Sequence, residues 1–269
     1  MPNSSLITLT TDFGLSDHFV GTMKGVILNI NPAARIIDIS HQVNSHDVFD
    51  GAFTLFQAYR YFPPDTIHIA VVDPGVGTER RPVIARSGRY TFVAPDNGVL
   101  SLIYEEESIE VREITASHYF LSPMSHTFHG RDVFSPVAAW LSKGVEVAKF
   151  GDLVTDFVRF VSPKPKPVAD QRFQGVILKA DKFGNLITNF SARQFPALAQ
   201  ENQPAFTLSI GSKEIKKIST SFADGQPGEV IAILGSSGFI EICTNRGSAA
   251  KLLQVNRGAE AILTLVPTS

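Results

Sequence analysis

Across 269 residues the chain carries 24 Lys and Arg against 26 Asp and Glu, a formal charge of -2, and 43% of its residues are hydrophobic. That length accommodates one large domain or two modest ones with cores of their own, while the even mixture of charges offers neither a basic stripe for a phosphate backbone nor a polybasic anchor for lipid. Met1–Ser5 lacks the charged and apolar regions of a signal peptide, and no segment nears the roughly 20 apolar residues that span a bilayer, so a cytoplasmic protein without nucleic-acid or membrane partners is expected. Cys243, the single cysteine, sits in the apolar stretch Phe239-Ile240-Glu241-Ile242-Cys243 and reads as a buried structural thiol.

In chain order, Leu6 to Thr10 reads as a strand, and Phe19, Val20, Met23, Val26, Ile27 and Ile30 recur at helical spacing until Asn31-Pro32 stops them. A strand from Arg35 to Ile39, a helix from about Asp47 to Tyr61 and a strand from Ile67 to Val72 repeat the pattern. Further strands are predicted at Val83 to Ala85 and Thr91 to Ala94, and a helix from near Asp132 to about Leu141. Such alternation predicts an α/β domain, residues 1–162, with a parallel or mostly parallel central sheet covered by helices. Ser162-Pro163-Lys164-Pro165-Lys166-Pro167 then breaks the pattern, and 163–170 reads as an extended, proline-rich linker. From 171 to 269 the apolar segments are short and strand-like: Phe173 to Lys179, Leu186 to Phe190, Ala205 to Ile210, Glu229 to Leu234, Phe239 to Cys243 and Ala261 to Val266. They predict a smaller, mostly β domain.

Open α/β sheets bind ligands beyond the carboxyl ends of their strands, and two acids fall there. Asp12 follows the first strand in Thr10-Thr11-Asp12-Phe13-Gly14, and Asp73 follows the third in Val71-Val72-Asp73-Pro74-Gly75-Val76-Gly77. Either acid could instead cap the following turn. Arg80 lies seven residues beyond Asp73, within reach of the strand end, with Arg81 as a rival for the same role. Thr127-Phe128-His129-Gly130-Arg131-Asp132 precedes a predicted helix, where Asp132 could cap and His129 project into the crevice, although a lone histidine is also a common structural hydrogen-bonder. An acid, a guanidinium and an imidazole together can orient and polarise one water molecule. No H-E-x-x-H, cysteine pair, Walker A sequence or G-x-G-x-x-G occurs, and His41 and His46 are five apart rather than the four of a helical metal pair, so neither a metal nor a phosphate-anchored nucleotide is expected. In the β region, Asp181-Lys182-Phe183-Gly184-Asn185 forms a turn in which Phe183 could stack on a flat ring and Asn185 offer a donor and an acceptor, or it is an ordinary hairpin turn. Thr244-Asn245-Arg246-Gly247, before a short helical stretch, places Arg246 where it could hold a carboxylate or stay solvated.

Taken together, these segments resemble the S-adenosyl-L-methionine (SAM) hydrolases, or SAM hydroxide adenosyltransferases, relatives of the bacterial fluorinase and chlorinase. The resemblance covers nearly the whole chain and rests on Val72-Asp73-Pro74-Gly75-Val76-Gly77 with Arg80, Phe128-His129-Gly130-Arg131-Asp132, Phe183-Gly184-Asn185 and Asn245-Arg246-Gly247. It implies a C-terminal β-barrel domain and a homotrimer with active sites between subunits. It further implies Asp73, Arg80 and His129 as the catalytic set. Asp12 would hold the ribose hydroxyls. Val76 would line the substrate site, Asp181, Phe183 and Asn185 would hold the amino acid and adenine, and Asn245 and Arg246 the methionine end. His46 falls near a tryptophan position of the fluorinase. The halogenating relatives replace the catalytic set where halide binds, so its presence implies water as the nucleophile and SAM as substrate, with no further cofactor. A halide-using transferase, a non-catalytic SAM or adenosine sensor, and a metal-dependent hydrolase of another substrate are the competing readings.

Overall fold

In the computed structural model, which describes residues 6–200 and 204–266, the chain divides into two units, Met1–Ser162 and Pro163–Ser269. Met1–Ser5, on which the reading of the N-terminus rests, lies outside the described residues. Among those described, no helix is long and apolar enough to cross a membrane.

The first unit runs β1 (Leu6–Thr11), α1 (Phe19–Ile30), β2 (Arg35–Ser40), α2 (Val48–Ala58), β3 (Ile67–Val71), β4 (Pro82–Arg86), β5 (Thr91–Pro95), α3 (Ser101–Glu106), β6 (Glu110–Glu113) and α4 (Ser135–Ser142). Its six strands lie in the order β2-β1-β3-β5-β4-β6. β1 pairs in parallel with β2 and β3, and β3 with β5, whereas β4 runs antiparallel to both β5 and β6. The sheet is therefore mixed, parallel on its β2-to-β5 side.

Strand alternation decides how this sheet is covered, because successive side chains point to opposite faces. Ile69, Ile84 and Val93 join Val20, Met23 and Ile27 of α1 and Val137, Ala138 and Ala139 of α4 in one core cluster. Their neighbours Ala70, Val83, Ala85, Phe92 and Ala94 join Leu55 of α2 and Ile103 of α3 in another. Met23 and Ile27 are fully buried, and burial of side chains of this kind contributes about 1.5–3 kcal/mol each. α1 ends as predicted, the Asn31 N–H donating to the Ile27 carbonyl before Pro32, and Asp47 caps α2 by accepting from the Asp50 N–H at 3.0 Å. From β1 the chain steps to β2 on one side and then back across to β3 on the other. The strand order thus reverses at the β1/β3 junction, the position where open α/β sheets form a ligand crevice.

The second unit contains β7 (Lys166–Ala169), β8 (Arg172–Ala180), β9 (Leu186–Ser191), β10 (Phe206–Ile210), β11 (Lys213–Ile215), β12 (Ile218–Ser219), β13 (Val230–Leu234), β14 (Phe239–Thr244), α5 (Ala249–Leu253) and β15 (Glu260–Leu265). The sheet order is β11-β10-β15-β8-β9-β14-β13-β12, with β7 added beside β8. β11 and β12 occupy its opposite ends, yet only Lys216 and Lys217 separate them in sequence. The sheet must curl back on itself to satisfy both facts, giving a nearly closed, barrel-like form around Phe190, Leu208, Ile242 and Leu263. Within the stretch 163–170, read from its prolines as a linker, Lys166–Ala169 pair antiparallel with β8. Extended backbone suits both readings, but here it carries ladder bonds at the edge of the sheet, where proline is tolerated.

Candidate active site

Asp73 leaves β3 into a tight turn, in which the Val76 N–H donates to the Asp73 carbonyl at 3.2 Å and that of Thr78 to the Gly75 carbonyl at 3.2 Å. The turn returns Arg80 over the strand end. Its Nε lies 3.0 and 2.9 Å from the two Asp73 oxygens, and its Nη2 also donates to Asp73 Oδ2. The same Nη2 lies 2.8 Å from His129 Nδ1. Both members of the ion pair are largely buried, the Arg80 and Asp73 side chains being 9% and 4% exposed. Arg81, the rival from sequence, is engaged elsewhere, donating to Asp96 at 2.8 Å and to Asp156 at 2.8 Å.

The Arg80–His129 contact fixes the tautomer of the imidazole. A guanidinium only donates, so Nδ1 must accept and the proton of neutral His129 resides on Nε2. That Nε2 is buried and has no hydrogen-bond partner among the described residues. Burial first, and the Arg80 charge second, hold the imidazole below its usual pKa, so at neutral pH His129 presents an uncharged N–H. An unsatisfied buried donor is costly in a folded protein; here it stands beside a buried ion pair at the β3 end.

Two close approaches assemble this group from distant sequence. Gly77 has φ +77°, and a Cβ there would fall 2.2 Å from the His126 carbonyl oxygen. Only glycine lets the turn after β3 meet the segment that leads into His129. On the other side, Phe13, next to Asp12, and Phe128, next to His129, lie 5.9 Å apart between ring centroids, and Phe19 lies 5.8 and 5.2 Å from them. His129 itself enters a π-helical turn, Gly130–Phe134, that precedes α4. Asp132 does not cap the helix as predicted. It is fully buried inside this turn and accepts from the Ser125 N–H and hydroxyl, both at 2.8 Å, and from Arg131 Nε at 2.6 Å. Its carboxylate ties the preceding loop down.

Asp12 follows β1 and accepts from the His46 N–H at 2.8 Å. His46 has φ +65° and is exposed, so its main chain serves the Asp12 loop while its ring faces solvent. The first unit thus brings Asp12, Asp73 and Val76 to the adjacent ends of β1 and β3, and Arg80 and His129 to Asp73.

In the second unit, Asp181, Phe183, Asn185 and Arg246 line one cleft of about 800 Å³, within the range of small-molecule sites. Asp181 is consumed by its own loop: Oδ1 accepts from the Phe183 and Asn185 N–H groups at 2.8 Å each, and Oδ2 from Asn185 Nδ2 at 2.9 Å. Asn185 is only 6% exposed and spends one amide hydrogen there, so it offers less donor capacity than the sequence predicts. Gly184, at φ +84°, brings the loop against α5, where a Cβ would meet Ser248 Oγ at 2.0 Å. Phe183 remains 75% exposed, a free aromatic face. Asn245 does not line the cleft; its Nδ2 donates to the Gly225 carbonyl at 2.9 Å. Residues that sequence reasoning missed, Phe222, Glu241 and Thr244, do line it. For Glu241 the signal was an acid in the middle of an apolar strand. Among the described residues no three His, Cys, Asp or Glu side chains converge as metal ligands.

Comparison with known proteins gives this arrangement a family. The model of the SAM hydroxide adenosyltransferase N-terminal domain matches residues 7–151 and that of its C-terminal domain residues 175–262. An (R)-S-adenosyl-L-methionine hydrolase of Salinispora tropica is 38% identical over 261 residues, 94% of this chain and 95% of the relative. A fluorinase of an Actinoplanes species is more distant, 27% identical over 290 residues, 96% of this chain and 97% of the relative. The crystal structure of an uncharacterized conserved protein from Thermotoga maritima superposes with a TM-score of 0.88 at 38% identity, covering 96% of this chain and 99% of that one. The two domain models cover most of the sequence in order and the hydrolase is matched nearly end to end: the chain belongs to the SAM hydroxide adenosyltransferase family.

Proposed function

We propose that this chain hydrolyses (R)-S-adenosyl-L-methionine to adenosine and L-methionine by in-line attack of water on the ribose 5′ carbon. The carrying observation is the buried Asp73–Arg80–His129 set with an unpartnered Nε2–H. The water oxygen bonds to C5′ as the C5′–S bond breaks, its electron pair passing to sulfur. Sulfur leaves as a neutral thioether, so the leaving side needs no acid and the reaction calls for no redox cofactor. One proton is released from the water.

The tautomer supports a division of labour. His129 Nε2–H donates to the water oxygen and turns a lone pair towards carbon, and Arg80 holds both His129 and Asp73 in place. Water becomes strongly acidic only as the C–O bond forms, so a carboxylate suffices to take its proton; Asp73 is the acceptor in this scheme. Asp12 binds the ribose hydroxyls with Val76 beside the sugar and His46 packing near the ligand. Phe183 stacks on adenine, Asn185 and the Asp181 loop hold the amino acid and adenine, and Asn245 and Arg246 secure the methionine end. The working assembly in this proposal is a cytoplasmic homotrimer, whose size in solution is directly measurable. The greater likeness to the (R)-SAM hydrolase than to the fluorinase favours water over halide.

Incubation of metal-stripped protein with SAM in oxygen-18 water tests the proposal. Adenosine labelled at the 5′ oxygen together with free methionine supports it; SAM bound but intact refutes it in favour of a sensor, and turnover that requires chloride refutes it in favour of a halide transferase.

A further inference from the structure

The cleft of the second unit contains a charge arrangement that its protein groups leave unfinished. Among the described residues, Asp181 accepts only from uncharged N–H groups of its own loop. Glu241, from the outer face of β14, lines the same cleft and has no hydrogen-bond or ion-pair partner among the described residues. Its carboxyl is seated closely: a Cβ on Gly235 would fall 1.8 Å from Oε1 and 2.3 Å from Cδ. Burial, and then the Asp181 charge, push the Glu241 carboxyl above the usual range, as expected of a half-buried acid facing a second carboxylate. Among the described residues, Arg246 is the one cationic side chain on the cleft wall. An independent sign of a missing ligand comes from Thr244, which lines the cleft, is 5% exposed, and has a buried Oγ1 without a partner among the described residues.

We infer that Glu241 is a specificity-determining residue that receives the ammonium group of the substrate's amino-acid portion, in the field of Asp181. The inference rests on the SAM reading given above. An ammonium carries three donors and a full charge, so it can bond Glu241 and still be held by the negative potential of Asp181, whose own lone pairs are largely committed. The sulfonium, the other cation of the substrate, has no hydrogen to donate. The contact is remote from the breaking bond, so it acts on binding of substrate and transition state alike and appears in KM.

The test compares Glu241→Gln with the unsubstituted protein on two substrates, SAM and its desamino analogue, in which hydrogen replaces the ammonium. A charged hydrogen bond of this kind corresponds to about 10- to 100-fold in kcat/KM. Glu241→Gln is expected to lose that factor on SAM, mainly through KM, and to change less than about twofold on the analogue, which has no group for Glu241 to bind. Equal losses on both substrates, or none on SAM, overturn the inference while leaving the hydrolase reading intact. An unsubstituted protein that cleaves neither substrate overturns both. Thermal melts establish folding of the variant, and Glu241→Asp, run through the same pair of substrates, answers the question if the glutamine variant does not fold.

Discussion

Gly77→Ala adds one methyl group at the point where the turn after β3 meets the His126 carbonyl. That Cβ would lie 2.2 Å from the carbonyl oxygen, whereas real contacts of this kind begin near 3.0–3.4 Å. The two segments must therefore separate by roughly 1 Å, and because His129 and Arg80 lie on opposite sides of the contact, their 2.8 Å hydrogen bond lengthens with it. Displacement on this scale costs about 100-fold in rate. Alanine at φ +77° adds about 1–2 kcal/mol of backbone strain, which is a few degrees in melting temperature for a domain of this size. The assay is steady-state hydrolysis of SAM beside thermal unfolding. A variant that melts only a few degrees lower yet retains kcat/KM within threefold would refute the claim that this contact positions the catalytic set.

Arg80→Lys keeps a charge but cannot hold Asp73 and His129 together; kcat is expected to fall by about 10²–10³-fold, while Arg81→Lys leaves kcat within about threefold because Arg81 serves Asp96 and Asp156 instead. Protonated His129 would present a donor to Arg80, so activity is expected to be flat through neutral pH and to fall along an acid limb centred below 6.5, the ordinary imidazole value; a limb centred above 6.5 in kcat/KM against pH contradicts the assigned tautomer. His68, fully buried, 2.7 Å from Thr8 Oγ1 and stacked on Phe92, is pushed by burial down to about 3. The unfolded chain therefore binds this proton first, and stability is lost as pH falls from 6.5 towards 3, by up to about 1.4 kcal/mol per unit. Urea unfolding of His68→Gln between pH 6 and 4 is expected to show a flatter decline than the unsubstituted protein.

Periodic elements were legible in the sequence because burial repeats at their spacing. α1 and α2 carry an apolar stripe and a clear stop or cap, and the buried strands β1, β3 and β5 are apolar runs. β6, Glu-Val-Arg-Glu, shows one buried residue among charges, and α3 spans only six residues, so neither presents a period to read. The mixed character of the sheet escaped for another reason: β4 and β5 are two ordinary apolar runs whose antiparallel pairing depends on a turn, not on composition. At the site, Asp73 and Arg80 could be joined through a short turn, but the sequence separation of 49 between Arg80 and His129 is bridged by the Gly77 contact and the aromatic cluster, which only three dimensions reveal. The internal bonds of Asp181 and the side-on position of Asn245 follow from loop conformation in the same way.

The π turn at Gly130–Phe134 acts as an index between two parts that must each face their own target. Downstream, Val137, Ala138 and Ala139 are committed to the sheet; upstream, His129 is committed to Arg80. Side chains in a regular helix step by about 100° per residue, and the wider turn absorbs one residue that regular winding would not. Point substitutions leave this phase untouched, whereas removal of a single residue within 130–134 would rotate either the imidazole away from the ion pair or α4 away from its core. The number of residues in this one turn is thus as much a part of the site as the identity of His129.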